Sequence, residues 1–485
     1  VVVLPAREDW RALWGELVGR GRAQVLAHDG AELWCATEAV SDARRALAGD
    51  DDAVVKAVRG HLELAGITTA AKLTRATTIA EGRVEAGLAA LERDGFALQG
   101  RYTAAAAETE WVARRLLARM HAYSRRTRRE SVRPVTAQDL MRFLLRWQHV
   151  APGTQLQGDN GLITVLEQLQ GFEAAAVGWE AELFGRRLRH YDPAWLDRLC
   201  HNGDVAWLRL TPRVRDDPDA PPAAPSKATP ISVVFRGDLP WLLAAARTRG
   251  EPDWPTVGAT AEVLEELRDR GACFATDLCA ATRRLPDDVE RGLWDGVARG
   301  LVMSDGFAAI RARVAGGRTP PRPRRISRLG RAAPASVPAA GRWSLVPVPE
   351  GSLERDDLAE AVAEQLLNRW GIVFRDLAVH DSLRLPWRDL QWALRRLEDR
   401  GLVRGGRFIA GFGGEQYALP AAVEQLAHVR KAPRGGERVV VNATDPLNLV
   451  GVIVPGDTVP ALRTNRVTYI DGVPEGLSTG RDRPA

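Results

Sequence analysis

The chain has 485 residues, too many for one compact core, and ordinary domain sizes allow roughly three modules. Hydrophobic residues make up 45%, charged residues 27% and aromatics 6%, which excludes the disordered, collagenous and disulfide-rich classes. The net charge of +5 conceals a bias: Lys56, Lys72, Lys227 and Lys431 are the only lysines among 67 basic residues, so the other 63 are arginine. Arginine's planar fork suits phosphate and base edges, so a nucleic-acid partner is permitted, although the net charge alone does not require one.

Cys35, Cys200, Cys273 and Cys279 offer neither a disulfide framework nor a zinc-binding spacing, and Cys273 and Cys279 read as core residues. No stretch approaches the roughly 20 apolar residues that cross a bilayer, and the N-terminus lacks a signal pattern. A cytoplasmic protein with no membrane partner is therefore expected, on the nucleoid if it binds DNA. The chain begins at Val1 and reads as a piece of something longer.

Along the chain one unit recurs. Residues 1–50 read as the end of a preceding module. Within 51–104, Gly66 is followed by two short amphipathic helices, then Gly95, then Tyr102 seven residues on. The pattern returns within 255–313, from Gly271 to Gly300 and Phe307, and within 341–420, from Gly371 to Gly401 and Phe408. Val84, Leu88 and Leu91, and likewise Leu390, Leu394 and Leu397, recur at helical spacing and mark one buried face. The closing glycines suit left-handed helix caps. After them, Leu402–Phe408 reads as strand, tight glycine turn and returning strand, and Asp305-Gly306 carries a hairpin signal. Helix, turn, helix, glycine stop and hairpin make a winged helix-turn-helix. Such modules bind nucleic acid or serve as protein scaffolding.

Residues 105–134 read as a basic helical linker, whose run Arg125, Arg126, Arg128 and Arg129 is either a solvated helix face or a phosphate-contacting stripe. Residues 211–230 and 314–340, rich in Pro, Ala and Arg, read as connectors. From 421 to 485 the pattern changes to apolar runs at Val439–Val441, Leu449–Val454 and Arg466–Ile470, separated by turns, and a small β-barrel is expected there. The fold class is α+β: tandem winged helices followed by that barrel. The tryptophans Trp179, Trp195, Trp241, Trp343, Trp370, Trp387 and Trp392 sit at amphipathic positions and read as core, with room for one or two to stack on a flipped base.

Several stretches resemble the C-terminal region of the bacterial large helicase-related (Lhr) family of superfamily 2 helicases: Leu166-Glu167-Gln168-Leu169-Gln170-Gly171, Pro386-Trp387-Arg388-Asp389-Leu390, Arg407 to Pro420, Asp445-Pro446-Leu447-Asn448-Leu449, and Asn465 to Gly472. No phosphate loop G-x-x-x-x-G-K-[ST] is present, so the family's motor would lie upstream in the same polypeptide. No cofactor is expected in this chain; ATP and Mg²⁺ belong to that absent motor. A second resemblance, to AlkZ-like DNA glycosylases, runs through 162–241, with Arg186, Tyr191 to Leu196 and Phe235 to Trp241, and implies an AlkZ-like winged helix with a strand pair over 135–254.

In those glycosylases a Gln-apolar-Gln element positions the water that attacks the sugar C1′, and Gln168 and Gln170 match it. A glutamine has no useful pKa and can only orient water. Two residues this far apart share a face only at a helix end or in extended chain. The other reading of the pair is a polar or packing element of the fold. Glycosidic cleavage also needs negative charge near C1′, for which Asp471, Glu167 and Glu173 are candidates, though Asp471-Gly472 is economically a turn. The resemblance implies a DNA-binding, homo-oligomerising region of a DNA-repair helicase, a tetramer being one such assembly. The alternative is a glycosylase removing a damaged or deaminated base.

Overall fold

A computed structural model of the chain describes residues 3–5, 8–103, 108–130, 133–213, 228–248, 250–314, 341–348 and 353–478. The side chains of 3–5, 125–130, 313–314 and 476–478 are outside that description. The chain folds as two compact units, Val1–Ser131 and Val132–Ala485.

In the first unit β1 (Val3–Pro5), β2 (Ala23–His28) and β3 (Ala31–Ala36) form an antiparallel sheet in the order β1-β3-β2, with α1 (Arg11–Gly19) before β2. The β2–β3 turn is Asp29-Gly30, both at positive φ (45° and 78°), as a tight hairpin turn requires. After α2 (Val40–Ala48), the Asp50 carboxylate caps α3 (Asp51–Ala65) by accepting from Ala53 N at 3.0 Å. Then α4 (Ala70–Thr77), α5 (Glu81–Arg93), β4 (Ala97–Gly100) and β5 (Glu110–Ala113) complete one winged helix, followed by α6 (Arg114–Glu130). Val84, Leu88 and Leu91 of α5 are buried in one core with Val54, Val58 and Leu62 of α3, each worth roughly 1.5–3 kcal/mol.

The second unit opens with α7 (Ala137–Trp147), α8 (Gly158–Leu169), β6 (Ala174–Ala175), a π-type turn at Trp179–Phe184, α9 (Gly185–Arg187), α10 (Pro193–His201), β7 (Val205–Leu208), β8 (Pro230–Phe235) and α11 (Leu239–Ala246). The repeat then returns as α12 (Gly258–Arg270), α13 (Ala275–Thr282), α14 (Pro286–Ala298), β9 (Val302–Ser304), α15 (Ala308–Val314) and β10 (Trp343–Leu345). It returns again as α16 (Arg355–Trp370), β11 (Ile372–Val373), α17 (Arg375–His380), α18 (Trp387–Asp399), β12 (Arg404–Gly406) and β13 (Gln416–Ala418). Last come α19 (Pro420–Lys431) and the strands β14 (Arg438–Asn442), β15 (Arg466–Ile470) and β16 (Val473–Ser478).

Gly95, Gly300 and Gly401 all stand at positive φ (71°, 75° and 79°), and Phe307 and Phe408 are each only 1% exposed. The hairpins differ from expectation. The wing strand β12 pairs not within 402–408 but with β13, ten residues further on, because Phe408 turns inward and the Gln416 amide receives the N–H groups of Phe408 and Ile409, both at 2.8 Å. Asp305-Gly306 makes no hairpin either: Phe307 leads into α15, and β9 takes β10 as its partner. There Trp343 joins Trp207 and Trp294 in one aromatic cluster with ring centroids 5.6–6.1 Å apart. One sheet, in the order β10-β9-β7-β8-β6, thereby runs through two successive winged helices.

The expected barrel is, among the described residues, an open three-stranded sheet in the order β14-β15-β16. Leu449–Val454 adds no strand because positive φ at Gly451 (77°) and Gly456 (139°) bends it into a turn closed by a Val450–Val454 bridge. Its side chains still fill the core, with Leu449, Val450, Ile453 and Val454 all buried.

Candidate functional site

Gln168 closes the last turn of α8, and Gln170 lies just past it in extended backbone (φ −55°, ψ 142°). Gly171 follows at φ 82°, where a side chain would meet Leu383 at 2.8 Å and Leu242 at 2.9 Å, so the chain turns sharply there. The carbonyls at a helix end lack helical partners, and α16 supplies them. Gln365 donates to the carbonyls of Glu167 (2.9 Å) and Gln168 (3.2 Å), and Asn368 donates to that of Glu167 (3.2 Å). Arg369 donates to the carbonyls of Gln168 and Gln170, while its remaining nitrogen grips Asp381. Arg369 and Asp381 are both fully buried.

The two glutamine side chains differ. Gln170 is engaged at both ends: its Nε2 donates to Asp238 (2.9 Å) and Gln365 (3.2 Å), and its Oε1 receives Phe235 N (3.4 Å). Gln168 donates through Nε2 to the Trp147 carbonyl (3.0 Å), but its Oε1 is buried with no partner among the described residues. Both are nearly inaccessible, at 4% and 6% exposure. Gln365 bridges them, so the structure brings Gln168 and Gln170 together around one buried hub.

The hub continues toward the C-terminal sheet. Gln148 donates to the Arg369 carbonyl (3.0 Å) and accepts from Arg187 (2.9 Å), and Arg187 makes a bidentate pair with Asp445 (2.7 and 2.9 Å) at about complete burial. Sequence reasoning missed Gln365, Arg369, Arg187 and Asp445 as a set. The legible signal was polar residues on a buried stripe: Gln365 and Arg369 alternate on α16 with the buried Val362, Leu366 and Trp370.

The candidate carboxylates lie apart. Asp471 stands at φ 46° in the β15–β16 turn, where its carboxylate receives the N–H groups of Gly436 (2.8 Å) and Glu437 (3.0 Å), which hold it below the usual carboxylate range. It shares no described hydrogen bond with Gln168 or Gln170. Glu167 is exposed. Glu173, three residues past Gln170, is half-buried, and burial pushes its carboxyl above the usual range although Leu210 N (2.9 Å) and Thr211 N (3.2 Å) donate to it. Glu173 also lines a cavity of about 560 Å³ together with Phe172, His380 and Asn448.

The helices that precede the three wings present different surfaces. Helix α5 exposes a mixture of Glu81, Arg83, Glu85 and Arg93. Helix α14 exposes Asp287, Glu290 and Arg291, the last paired with Asp288, and buries Gly292 to Val297. Helix α18 exposes Arg388 and Trp392, the latter 54% exposed against the expectation of a core position, with the Arg395 guanidinium 5.6 Å from its ring. Beside it the wing exposes Arg404 and Arg407. Arg388, Arg404 and Arg407 have no carboxylate partner among the described residues, whereas Arg355, Arg396 and Arg400 are tied to Asp389, Asp356 and Glu360. Trp179, Trp343 and Trp370 are buried as expected. The side chains of Arg125, Arg126, Arg128 and Arg129 lie outside the described residues.

Two segments match family profiles described as large helicase-related protein, winged-helix domain: residues 135–220 and 352–438. The chain is Lhr-like. It is 28% identical over 446 residues to the "Lhr helicase/uracil glycosylase" of Escherichia coli K12, covering 84% of this chain and 27% of that protein. It is 30% identical over 383 residues to the "Lhr helicase/ probable uracil glycosylase" of Mycolicibacterium smegmatis, covering 74% and 24%. The Lhr-like chain therefore spans about a quarter of the length of the curated relatives it matches. Among solved structures, the Streptomyces sahachiroi DNA glycosylase AlkZ aligns with a TM-score of 0.40 and 14% identity, over 71% of this chain and 88% of that one. No described helix is long and apolar enough to cross a membrane.

Proposed function

We propose that this chain is a DNA-binding region of an Lhr-type repair helicase, with its motor, ATP and Mg²⁺ supplied by the rest of the polypeptide. One observation carries the reading: α18 and its wing expose Arg388, Arg404 and Arg407, which have no carboxylate partner among the described residues, around the exposed Trp392. A helix of this kind enters the major groove while flanking cations meet phosphates. Helix α14, whose one exposed cation, Arg291, is already paired with Asp288, is scaffolding in this reading. Fluorescence anisotropy with labelled duplex and forked DNA tests it. The combined Arg388→Gln, Arg404→Gln and Arg407→Gln variant is expected to bind at least tenfold more weakly, while Arg291→Gln on α14 leaves affinity unchanged. Equal affinities for parent and triple variant would sink the assignment. The expected homo-oligomer is checked by sedimentation of the same sample, where a monomer at all concentrations would remove it.

A second reading is removal of a deaminated base, with Gln168 and Gln170 orienting water. It is favoured by the buried Gln168 Oε1 that lacks a partner among the described residues and by the names of the two bacterial relatives. Asp471 or Glu173 would supply the negative charge. Uracil-containing duplex is incubated with the chain and cleaved with alkali. Strand breaks abolished by Gln168→Ala support the reading, with Glu173→Gln set against Asp471→Asn to choose the carboxylate. No breaks with the parent chain would refute it.

A further inference from the structure

The helices before the three wings can be laid on one ruler, counted back from their closing glycines. Nine residues before Gly95, Gly300 and Gly401 stand Ala86, Arg291 and Trp392, all exposed, and thirteen residues before them stand Gly82, Asp287 and Arg388. Of the three, only α18 therefore sets a large aromatic ring on its outer face with a cation one turn earlier. Arg388, Trp392 and Arg395 follow one another at i, i+4 and i+7, a single stripe on the side away from the buried Leu390, Leu394 and Leu397.

A lone exposed apolar side chain is ordinary, but this ring is steadied and surrounded by positive charge. Arg395 donates to Glu415 through Nε (3.1 Å) and Nη2 (2.9 Å), which fixes its guanidinium 5.6 Å from the Trp392 ring. The adjacent acid Asp389 is neutralised by Arg355 at 2.8–3.1 Å, and the exposed acid of the helix, Asp399, stands seven residues on. An open ring face among cations matches a strand that offers both phosphates and uncovered bases. In continuous duplex every base face is covered by its neighbours, and the groove presents base edges to a ring. Unpaired bases leave their faces open, and stacking one of them on an aromatic side chain is worth about tenfold in affinity. We propose that Trp392 stacks on an unpaired base where duplex gives way to single strand, with Arg388 and the wing arginines on nearby phosphates. Helix α18 and its wing then select a junction over continuous duplex. This rests on the DNA-binding reading and adds the class of DNA within it.

Anisotropy of the whole chain compares three DNAs of one duplex sequence: blunt, with a single-stranded tail of bases, and with a tail of tetrahydrofuran spacers that keeps the phosphates and removes the bases. The parent is expected to bind the base-tailed DNA at least fivefold more tightly than either of the others. Trp392→Ala should bring the ratio of base-tailed to spacer-tailed affinity to about one, and Trp392→Phe, which keeps a ring, should restore most of it. 2-Aminopurine as the first unpaired base gives a second readout: its emission, quenched by stacking, should fall with the parent and the phenylalanine variant and hold with the alanine variant. Equal parent affinities for the base and spacer tails, or an alanine variant that keeps the parent's ratio, overturns the stacking role, while the triple arginine variant judges DNA binding separately. An alanine variant that changes subunit number in sedimentation and keeps the parent's ratio makes the ring a subunit contact and overturns the proposal. No binding to any of the three DNAs refutes the DNA-binding reading and this one with it.

Discussion

Replacing Asp381 with alanine isolates what holds the Gln168–Gln170 segment in place. Its carboxylate is fully buried and receives Arg369 through both oxygens, Trp370 Nε1 at 2.8 Å and Leu383 N at 2.9 Å. The alanine variant strands a guanidinium, an indole N–H and a backbone N–H in the interior. Removing one member of a buried ion pair costs about 3–5 kcal/mol, and two further orphaned donors place this case at the upper end. Since every 1.4 kcal/mol is about tenfold, the unfolding constant should rise roughly 10³-fold. With a urea slope of about 2 kcal/mol/M, the midpoint should fall by roughly 2 M. Tryptophan emission reports it directly, because Trp370 is itself a partner. Asp381→Asn, which keeps the shape and an acceptor, should lose less than Asp381→Ala. A midpoint shift under about 0.3 M for the alanine variant would refute the view that this pair anchors the junction.

Asp445→Ala should likewise cost about 3–5 kcal/mol, because Arg187 is left buried with one side-chain partner, Gln148, while Arg187→Met with Asp445→Leu should recover most of it; denaturant midpoints of the three variants check the coupling. Glu173 is raised in the folded state by burial, so the fold binds its proton more tightly than the unfolded chain and stability falls as pH rises from the usual carboxylate range through the raised value. Glu173→Gln should therefore match the parent under acid conditions and be the more stable at pH 7, and melting curves at both show it. Gly472→Ala must accept φ 82° and a clash with the Gln138 carbonyl, a cost of about 1–3 kcal/mol before the clash is counted; an unchanged melting temperature would contradict the tight approach of that turn to α7.

The helical part of the fold was legible because it is local. Val84, Leu88 and Leu91 repeat at helical spacing and are buried on one face, and Gly95, Gly300 and Gly401 occupy the backbone region that favours glycine. Strand pairing was not, since β9 finds its partner across a long intervening segment and no local pattern names Trp343 as the residue that completes the Trp207–Trp294 cluster. The barrel failed for a related reason: Leu449–Val454 has a strand's composition, but its glycines bend it and its burial comes from packing rather than pairing. At the candidate site, the pair Gln168 and Gln170 was visible as a motif, while its surroundings were not. Gln365 and Arg369 reach it from nearly 200 residues away in the chain. Trp392 read as core because it follows an amphipathic pattern, yet it falls on the outer edge of that pattern and stays exposed.

The most direct test of the DNA-binding claim is the salt dependence of duplex affinity for the parent chain and for the Arg388, Arg404 and Arg407 triple glutamine variant. Each phosphate contact contributes about −0.9 to the slope of log affinity against log salt, so the account predicts a steep parent slope that is shallower by about 3 in the variant. Equal slopes, or a parent affinity indifferent to salt, would contradict it.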